Sequence, residues 1–178
     1  VTSGVERAQI IRVPHYRNVI VQDGGQLTVR QWDNVSGGVL VLRVQNQLSV
    51  NAGGSVSVAA SGFQGGERAS WSSTAGPGYQ GETYTGIQPS SNRSANGGGG
   101  GGGQNAGGGG GGYGSSGQNG REDWAGAPYG YGGSTYGTPT LERIYLGSGG
   151  GGSGHVYESA ARGGSGGGIV LIIARDLV

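Results

Sequence analysis

The stretch NGGGGGGGQNAGGGGGGYG, residues 96–114, contains seven consecutive glycines at 97–103 and six more at 107–112. A segment of this kind is either a flexible linker or an ordered element in which side chains have to be absent. Shorter glycine tracts recur at 149–152 and 163–168, the second with one serine inside. Repeated tracts of similar length are typical of parallel rods rather than of a single spacer. We therefore expect the tracts to be packed.

The apolar residues are divided between the two ends of the chain. Of the 33 Leu, Ile, Val and Phe residues, twenty lie in 1–58 and eleven in 141–178, and only Phe63 and Ile87 lie between them. Neither end is large enough to build a hydrophobic core of its own. We expect a single domain, 1–178, whose ends share a core. Its parts are N-terminal strands at 1–60, glycine-rich and aromatic loops and rods at 61–140, and C-terminal strands at 141–178.

Alternating apolar and polar residues bounded by Gly, Asn or Asp predict short β-strands. The segments are AQIIRV (8–13), NVIVQ (18–22), QLTVR (26–30), VLVLRVQ (39–45), QLSVN (47–51), SVSVAA (55–60), LERIYL (141–146) and GIVLIIARDLV (168–178), with turns at 23–25, 36–38 and 51–54. Their even spacing fits either a β-solenoid or a small sandwich. The run IVLII is apolar on both faces, which predicts a buried strand.

The glycine tracts are expected to form polyglycine II helices, which have three residues per turn and a rise of ~3.1 Å per residue. Such helices have no internal hydrogen bonds, so their N–H and C=O groups must be satisfied by neighbouring chains. Ordering glycine has a large entropic cost, which bonding between the rods and coverage by aromatic rings have to offset. Turns are expected at 104–106 and 115–120. The predicted fold is all-β with a polyglycine II bundle and almost no α-helix.

Composition excludes several classes of partner. The net charge is +1 and charged residues make up 12% of the chain, so no basic surface for nucleic acid or anionic membrane is expected. No run reaches the ~18 apolar residues that would span a bilayer, and we expect no membrane insertion. Cysteine is absent, so disulfides do not hold the chain together. Methionine is also absent, which indicates a processed product or a part of a longer protein.

The chain offers few candidates for catalysis or for metal and cofactor binding. His15 and His155 are the only histidines, and their surroundings favour a turn or surface role. Residues 163–167 match G-x-S-x-G, but that motif precedes a helix in hydrolases, whereas a predicted strand follows here. Acidic residues are scattered and no calcium-loop motif is present. We expect no enzyme activity, no cofactor and no structural metal.

Aromatic residues near the tracts are the candidates for recognition. Two segments, 71–86 and 121–137, mix rings with Gly, Ser and Pro, as antibody-combining sites do. The candidate ligand-binding residues are Trp71, Tyr79, Tyr84, Arg121, Glu122, Asp123, Trp124, Tyr129, Tyr131 and Tyr136. Two interpretations stay open. The rings contact a glycan or protein, or they cover the glycine rods and supply the core that glycine cannot.

Longer motifs resemble those of known proteins. The order PHYRNVIVQDGGQLTVRQWDNVSGGVLVLRV, LSVNAGG, SGFQGG, LGSGGGG and GGGIVLI is similar to glycine-rich modules that recur in large secreted and surface proteins of bacteria. In outline the chain also resembles the tail-fibre-tip adhesins of T-even-like phages, whose polyglycine rods form a sandwich with recognition loops at one end. It is similar in composition to the glycine-rich domain of one receptor tyrosine kinase pair. The resemblance implies an extracellular or cell-surface location.

Two functions follow as hypotheses. The first is a recognition or adhesion module at the tip of a larger fibre or in a secreted protein, which binds a cell-surface glycan or protein through loops at 71–95 and 121–140. The second is a structural subunit of an extracellular filament or coat, in which rods and strand edges stack subunit on subunit by self-association. An enzyme is the least favoured function.

Overall fold

The computed structural model describes residues 9–69, 76–85, 98–103, 106–122, 128–140, 142–154 and 160–178. Across these residues the chain is all-β and contains no α-helix. The strands are β1 (His15–Tyr16), β2 (Val19–Val21), β3 (Gln26–Leu27), β4 (Val39–Val50), β5 (Ser55–Val56) and β6 (Ile169–Leu177). None of the described residues belongs to a helix long and apolar enough to cross a membrane.

The longest strand, β4, is the centre of the main sheet. On one edge it pairs first with β1 and then with β2, and on the other edge it pairs with β6. Arg43 shows the arrangement, because its partners are His15 of β1 and Ile173 of β6. All of these pairs are parallel. In the described part of the chain the sheet therefore has two unlike edges, β1–β2 on one side and β6 on the other.

Two successive turns of the chain stack on each other in register. Val19 of β2 pairs with Leu48 of β4, and β3 pairs with β5 at the same offset of 29 residues. The corners stack as well, since the N–H of Gly24 donates to the carbonyl of Gly53 at 3.2 Å. Both glycines have positive φ, 70° and 81°, which residues with a Cβ rarely adopt. Parallel stacking is typical of a solenoid, whereas the hairpins of a sandwich are antiparallel.

The observed strands differ from the predicted ones. The predicted strands 39–45 and 47–51 form the single strand β4, whose pairing with β6 is irregular between Val44 and Gln47. The described residues 9–13 and 142–146 form no strand, and β3 and β5 have two residues each. Alternation in a sequence shows which residues share a face but does not supply the partner strand that a ladder needs.

The core lies on one face of β4. Leu40, Leu42 and Val44 are buried there at alternating positions, and Leu48 has no exposed surface. Residues of β6 and of the smaller strands are partly buried against them. They are Val19, Leu27, Val29, Val50, Val56, Val58, Ile172 and Ala174. Residues from both ends of the chain therefore contribute to this core.

The prediction of a buried strand at IVLII is wrong. β6 lies at an edge of the sheet, and only one of its faces packs against the core. Val170, Leu171 and Ile173 are 43%, 45% and 53% exposed. The sequence pattern shows that both faces of the strand are apolar, but it does not show whether a neighbour covers them.

The remaining described chain consists largely of glycine-rich segments joined by backbone hydrogen bonds, which we call the glycine lattice. Its segments are 62–69, 78–82, 98–103, 106–113, 117–121, 128–137, 147–154 and 161–168. Segment 147–154, the central tract, is bonded to five of the others. It donates to 161–167, to 79–82 and to 106–109, and it accepts from 63–69 and from 99–102.

Neighbouring segments of the lattice are joined at every third residue. The N–H groups of Phe63, Gly66 and Ala69 donate to the carbonyls of residues 147, 150 and 153, at 2.8 to 3.1 Å. The same spacing joins segment 128–137 to segment 106–113. Successive residues of a segment therefore face different neighbours, and a surrounded segment can satisfy nearly all of its backbone groups.

Glycine is needed in the lattice for space rather than for backbone conformation. In the described part of the chain, none of the glycines with positive φ belongs to the lattice. A Cβ on Gly151 would overlap the carbonyl of Gly100, and a Cβ on Gly149 would overlap the carbonyl of Gln64. The backbones thus approach one another more closely than any larger residue allows.

The predicted turn at 115–120 is wrong in part. The chain bends at 113–115, but Gly117 and Gly120 belong to a lattice segment and donate to 128–137 at 2.8 Å. Polar residues with glycine at every third position fit a lattice segment as well as they fit a turn. Composition alone does not distinguish these two structures.

Candidate recognition surface

The lattice has two ends, between which its segments run. Phe63, Tyr113 and Gly147 lie at the first end, and Ala69 and Gly103 lie at the second. The second end also contains the described residues that flank four gaps in the described chain. These gaps are 70–75, 104–105, 123–127 and 155–159. Of the predicted turn 104–106 only Ala106 is described, and its N–H donates to the carbonyl of Gly103 at 3.1 Å.

Four tyrosines form a cluster at the first end, the tyrosine cluster. The ring centroids of Tyr84 lie 5.0 Å from those of Tyr136 and Tyr145, and Tyr113 lies 5.2 Å from Tyr136 in an edge-on contact. These separations are favourable for aromatic pairs. Tyr84 and Tyr136 are among the predicted binding residues, whereas Tyr113 and Tyr145 are not. The position of Tyr113, directly after a glycine tract, was the available signal for it.

Tyr136 is tied to the protein by its hydroxyl group. The O–H lies 2.6 Å from the carbonyl oxygen of Leu146, to which it donates, and the hydroxyl of Ser148 donates to it at 2.9 Å. Burial raises the pKa of Tyr136 to about 12, although the hydrogen bond from Ser148 acts in the opposite direction. This arrangement supports the covering role for Tyr136. Tyr84, at 48%, is the most exposed ring of the cluster.

A second group of predicted residues lies on adjoining segments towards the second end. We call Arg121, Glu122, Tyr129 and Tyr131 the Tyr131 surface. Their segments adjoin because N–H groups of 117–121 donate to carbonyls of 128–137 at 2.8 Å. The rings of Tyr129 and Tyr131 meet edge-on with centroids 5.7 Å apart. Tyr131 is 42% exposed, and Arg121 and Glu122 are exposed. The structure thus brings four predicted residues to one surface.

The other predicted residues fall elsewhere. Tyr79 is partly buried in the lattice, where its N–H donates to the carbonyl of Glu67 at 2.9 Å. Trp71, Asp123 and Trp124 lie outside the described residues, so their part in recognition stays a prediction. Apart from Tyr79, the described candidates are therefore divided between the tyrosine cluster at one end of the lattice and the Tyr131 surface towards the other.

The structure also contains a buried carboxylate that the sequence did not predict. Glu82 is 4% exposed and accepts hydrogen bonds from the indole Nε1 of Trp32 and from the backbone N–H of Gln64. The ring of Trp32 also packs edge-on against Phe63, with centroids 5.9 Å apart. When the side-chain amide of Asn34 is oriented with its nitrogen towards Glu82, it donates a further hydrogen bond of 3.0 Å to the carboxylate. A single glutamate has no spacing or motif by which it could have been recognised.

A polar cleft of about 250 Å³ lies beside this carboxylate. Its lining includes Trp32, Gln64, Arg162 and Ser165. Among the described residues, no group of three or more His, Cys, Asp or Glu side chains lies close enough together to hold a metal ion. His15 is exposed on β1, and His155 lies outside the described residues. The polar side chains that line the cleft can donate and accept hydrogen bonds, which suits binding of a polar ligand.

No protein-family model matches the chain, and neither a curated protein nor a solved structure matches it. The resemblance to glycine-rich bacterial modules and to phage tip adhesins therefore stays a prediction that rests on the quoted motifs. The function of the chain has to be argued from its own surfaces. Two of these, the tyrosine cluster and the Tyr131 surface, contain all the described candidate residues except Tyr79.

Proposed function

We propose that the chain is a rigid recognition module of an extracellular fibre or surface protein, and that it binds a glycan or a protein on a target surface. In this proposal the glycine lattice is a bundle of polyglycine II helices that serves as the scaffold. The Tyr131 surface contacts the ligand. The observation that carries the proposal is the hydrogen bonding of the central tract.

The spacing of these hydrogen bonds supports polyglycine II helices. A helix with three residues per turn presents every third N–H to the same neighbour, which is the spacing found throughout the lattice. Seven of the eight N–H groups of residues 147–154 donate to neighbouring segments. A tract that is hydrogen-bonded to five neighbouring segments has little freedom to bend. A backbone fixed in this way has little conformational entropy left to lose on binding, which favours affinity.

The Tyr131 surface has the composition of a recognition site. Tyr and Arg are enriched among the residues that dominate binding energy, because they combine a large contact area with directional hydrogen bonds. An exposed tyrosine ring offers an apolar face to a sugar ring or a side chain. Arg121 donates hydrogen bonds and Glu122 accepts them, which suits hydroxyl groups and peptide groups. A glycan or a polar protein surface fits this set.

Binding to glycan arrays and to cells tests the proposal. Tyr131→Ala is expected to weaken binding about 30-fold, since an aromatic anchor contributes about 2 kcal/mol. Tyr84→Ala is the matched control, because its ring is similarly exposed, 48% against 42%, but lies at the other end of the lattice. We expect binding by this control to stay at the wild-type level.

Two results would contradict the proposal in different ways. If folded Tyr131→Ala binds as tightly as the wild type, the Tyr131 surface is not the site. If the wild-type chain binds neither glycans nor cells, the recognition function itself is wrong. Circular dichroism of both variants is the control for folding.

A further inference from the structure

Exposed apolar side chains are concentrated on the two edges of the main sheet. Fourteen large apolar residues of the described chain are exposed, and ten of them lie at these edges. They are Ile10, Ile11, Val13, Tyr16 and Ile20 beside or within β1–β2, and Val170, Leu171, Ile173, Leu177 and Val178 within or after β6. Single exposed apolar residues are ordinary, but contiguous ones mark interaction surfaces.

β6 directs a row of backbone groups away from the sheet. The N–H of Ile169 donates to the carbonyl of Gly38 at 2.8 Å, so alternate residues from Ile169 onwards turn their backbone groups towards β4. Val170, Ile172 and Ala174 turn theirs to the opposite side, where none of the described strands pairs with β6. This edge can therefore accept one more parallel strand.

The sequence of β6 does not suit an uncovered edge. Parallel strands with apolar residues on both faces normally lie inside proteins. Natural edge strands are protected by Lys, Pro or inward-pointing charges, and the run from Ile169 to Ala174 contains none of these. Leu171 and Ile173 are nevertheless about half exposed. The strand has the composition of one that is covered in the working state of the protein.

The opposite edge has matching properties. The carbonyl of Val21 accepts from the N–H of Asn51 at 2.9 Å, so the backbone groups of Ile20 point away from β4. The side chain of Ile20 is 63% exposed, and that of Tyr16 is 51% exposed. An unrelated partner protein would account for one apolar edge. A second copy of the same chain accounts for both.

We propose that copies of this chain associate head to tail, with the β1–β2 edge of one copy added as a parallel strand to the β6 edge of the next. The two edges differ and lie on opposite sides of β4, so the contact is heterologous and leaves one free edge at each end. It therefore builds a linear filament rather than a closed pair. This proposal is independent of ligand binding, because the Tyr131 surface belongs to the glycine lattice.

The internal register indicates how the two edges fit. Leu48 pairs with Val19 on one side and with Leu177 on the other. Suppose that the β1–β2 edge of a second copy lies on β6 in the same register in which β1–β2 lies on β4. Val19 of the second copy then lies beside Leu177. The same register places its Arg17 beside Arg175 rather than beside Asp176. The contact is therefore favoured by its apolar pairs and not by opposite charge.

Sedimentation velocity and negative-stain microscopy over a range of concentrations test the proposal. The wild type is expected to form linear assemblies that lengthen with concentration. Ile173→Lys blocks the β6 edge and Ile20→Lys blocks the β1–β2 edge, so each variant alone is expected to be monomeric. When the two are mixed in equal amounts, we expect dimers and nothing longer, because each variant supplies the edge that the other lacks.

Ile144→Lys is the matched control. Ile144 is 46% exposed but lies away from both edges, so this variant should assemble like the wild type. A wild-type chain that stays monomeric at every concentration overturns the proposal, and this measurement does not depend on any variant folding. Dimers of Ile20→Lys alone also overturn it, because they would show that two β6 edges pair with each other.

Discussion

The indole N–H of Trp32 donates to both carboxylate oxygens of Glu82, at 3.0 Å to Oε1 and 2.9 Å to Oε2. The two residues are 50 positions apart in the sequence. Trp32 follows the first stacked coil, whereas Glu82 belongs to the glycine lattice. The N–H of Gln64 donates to the same carboxylate at 3.0 Å. This buried group therefore connects the sheet to the lattice.

Replacement of this carboxylate is expected to destabilise the fold. Glu82→Ala leaves the indole N–H of Trp32 and the N–H of Gln64 without their acceptor, and each buried unsatisfied donor costs about 1–3 kcal/mol. Urea denaturation should show a lower midpoint for this variant. Glu67→Ala is the control, because its ion pair with Arg162 is exposed and such pairs contribute at most about 1 kcal/mol. Equal effects of the two substitutions would contradict the structural role of Glu82.

Alanine should be tolerated at some glycines and not at others. In Gly151→Ala the new methyl group would overlap the carbonyl of Gly100 in the lattice, and forced overpacking costs about 1–3 kcal/mol or more. Gly164→Ala meets nothing within 4 Å and should be neutral or stabilising by about 0.4–1 kcal/mol. Thermal denaturation of both variants measures the difference. A tract that behaved as a flexible linker would tolerate the two substitutions equally.

The stability of the protein should decrease at alkaline pH through Tyr136. Burial raises its pKa from 10.0 to about 12, so folding favours the protonated phenol. The contribution is fully present below about pH 10 and is lost as the pH rises through about 12. Tyr136→Phe should remove this part of the pH dependence, measured by urea denaturation at a series of pH values. Tyr16→Phe, which removes the hydroxyl of a half-exposed ring on β1, should leave it unchanged.

Amide hydrogen exchange should separate bonded from unbonded glycines. The N–H groups of Gly149, Gly150 and Gly151 donate within the lattice and should exchange slowly. Those of Gly114 and Gly164 have no backbone acceptor among the described residues and should exchange about as fast as in an unstructured peptide. Fast exchange at all five positions would show that the tracts are not a scaffold.

The all-β class and the corners at 23–25 and 51–54 were predictable from the sequence. Gly24 and Gly53 occupy positive φ at these corners, and glycine one or two positions after Asp or Asn is typical of such turns. The parallel stacking of the coils was not predictable, because alternation defines the faces of a strand but not its partner. For the same reason the exposure of β6 was missed.

The candidate site was predictable in part. Composition indicated Tyr84, Tyr131 and Tyr136 as members of one set of binding residues. In the structure Tyr84 and Tyr136 lie at the first end of the lattice, whereas Tyr131 lies towards the second. The separation depends on the direction in which each segment runs, which depends on hydrogen bonds between glycines that look alike in the sequence. The carboxylate of Glu82 depends on contacts with residues far away in the chain.

The spacing of the lattice bonds also constrains the length of its segments. One residue inserted in the middle of 147–154 would turn every later N–H towards a different neighbour, and the bonds beyond it would fall out of phase. Three inserted residues would restore the phase. Natural or engineered changes of length in these tracts should therefore come in multiples of three, even where every residue concerned is the same amino acid.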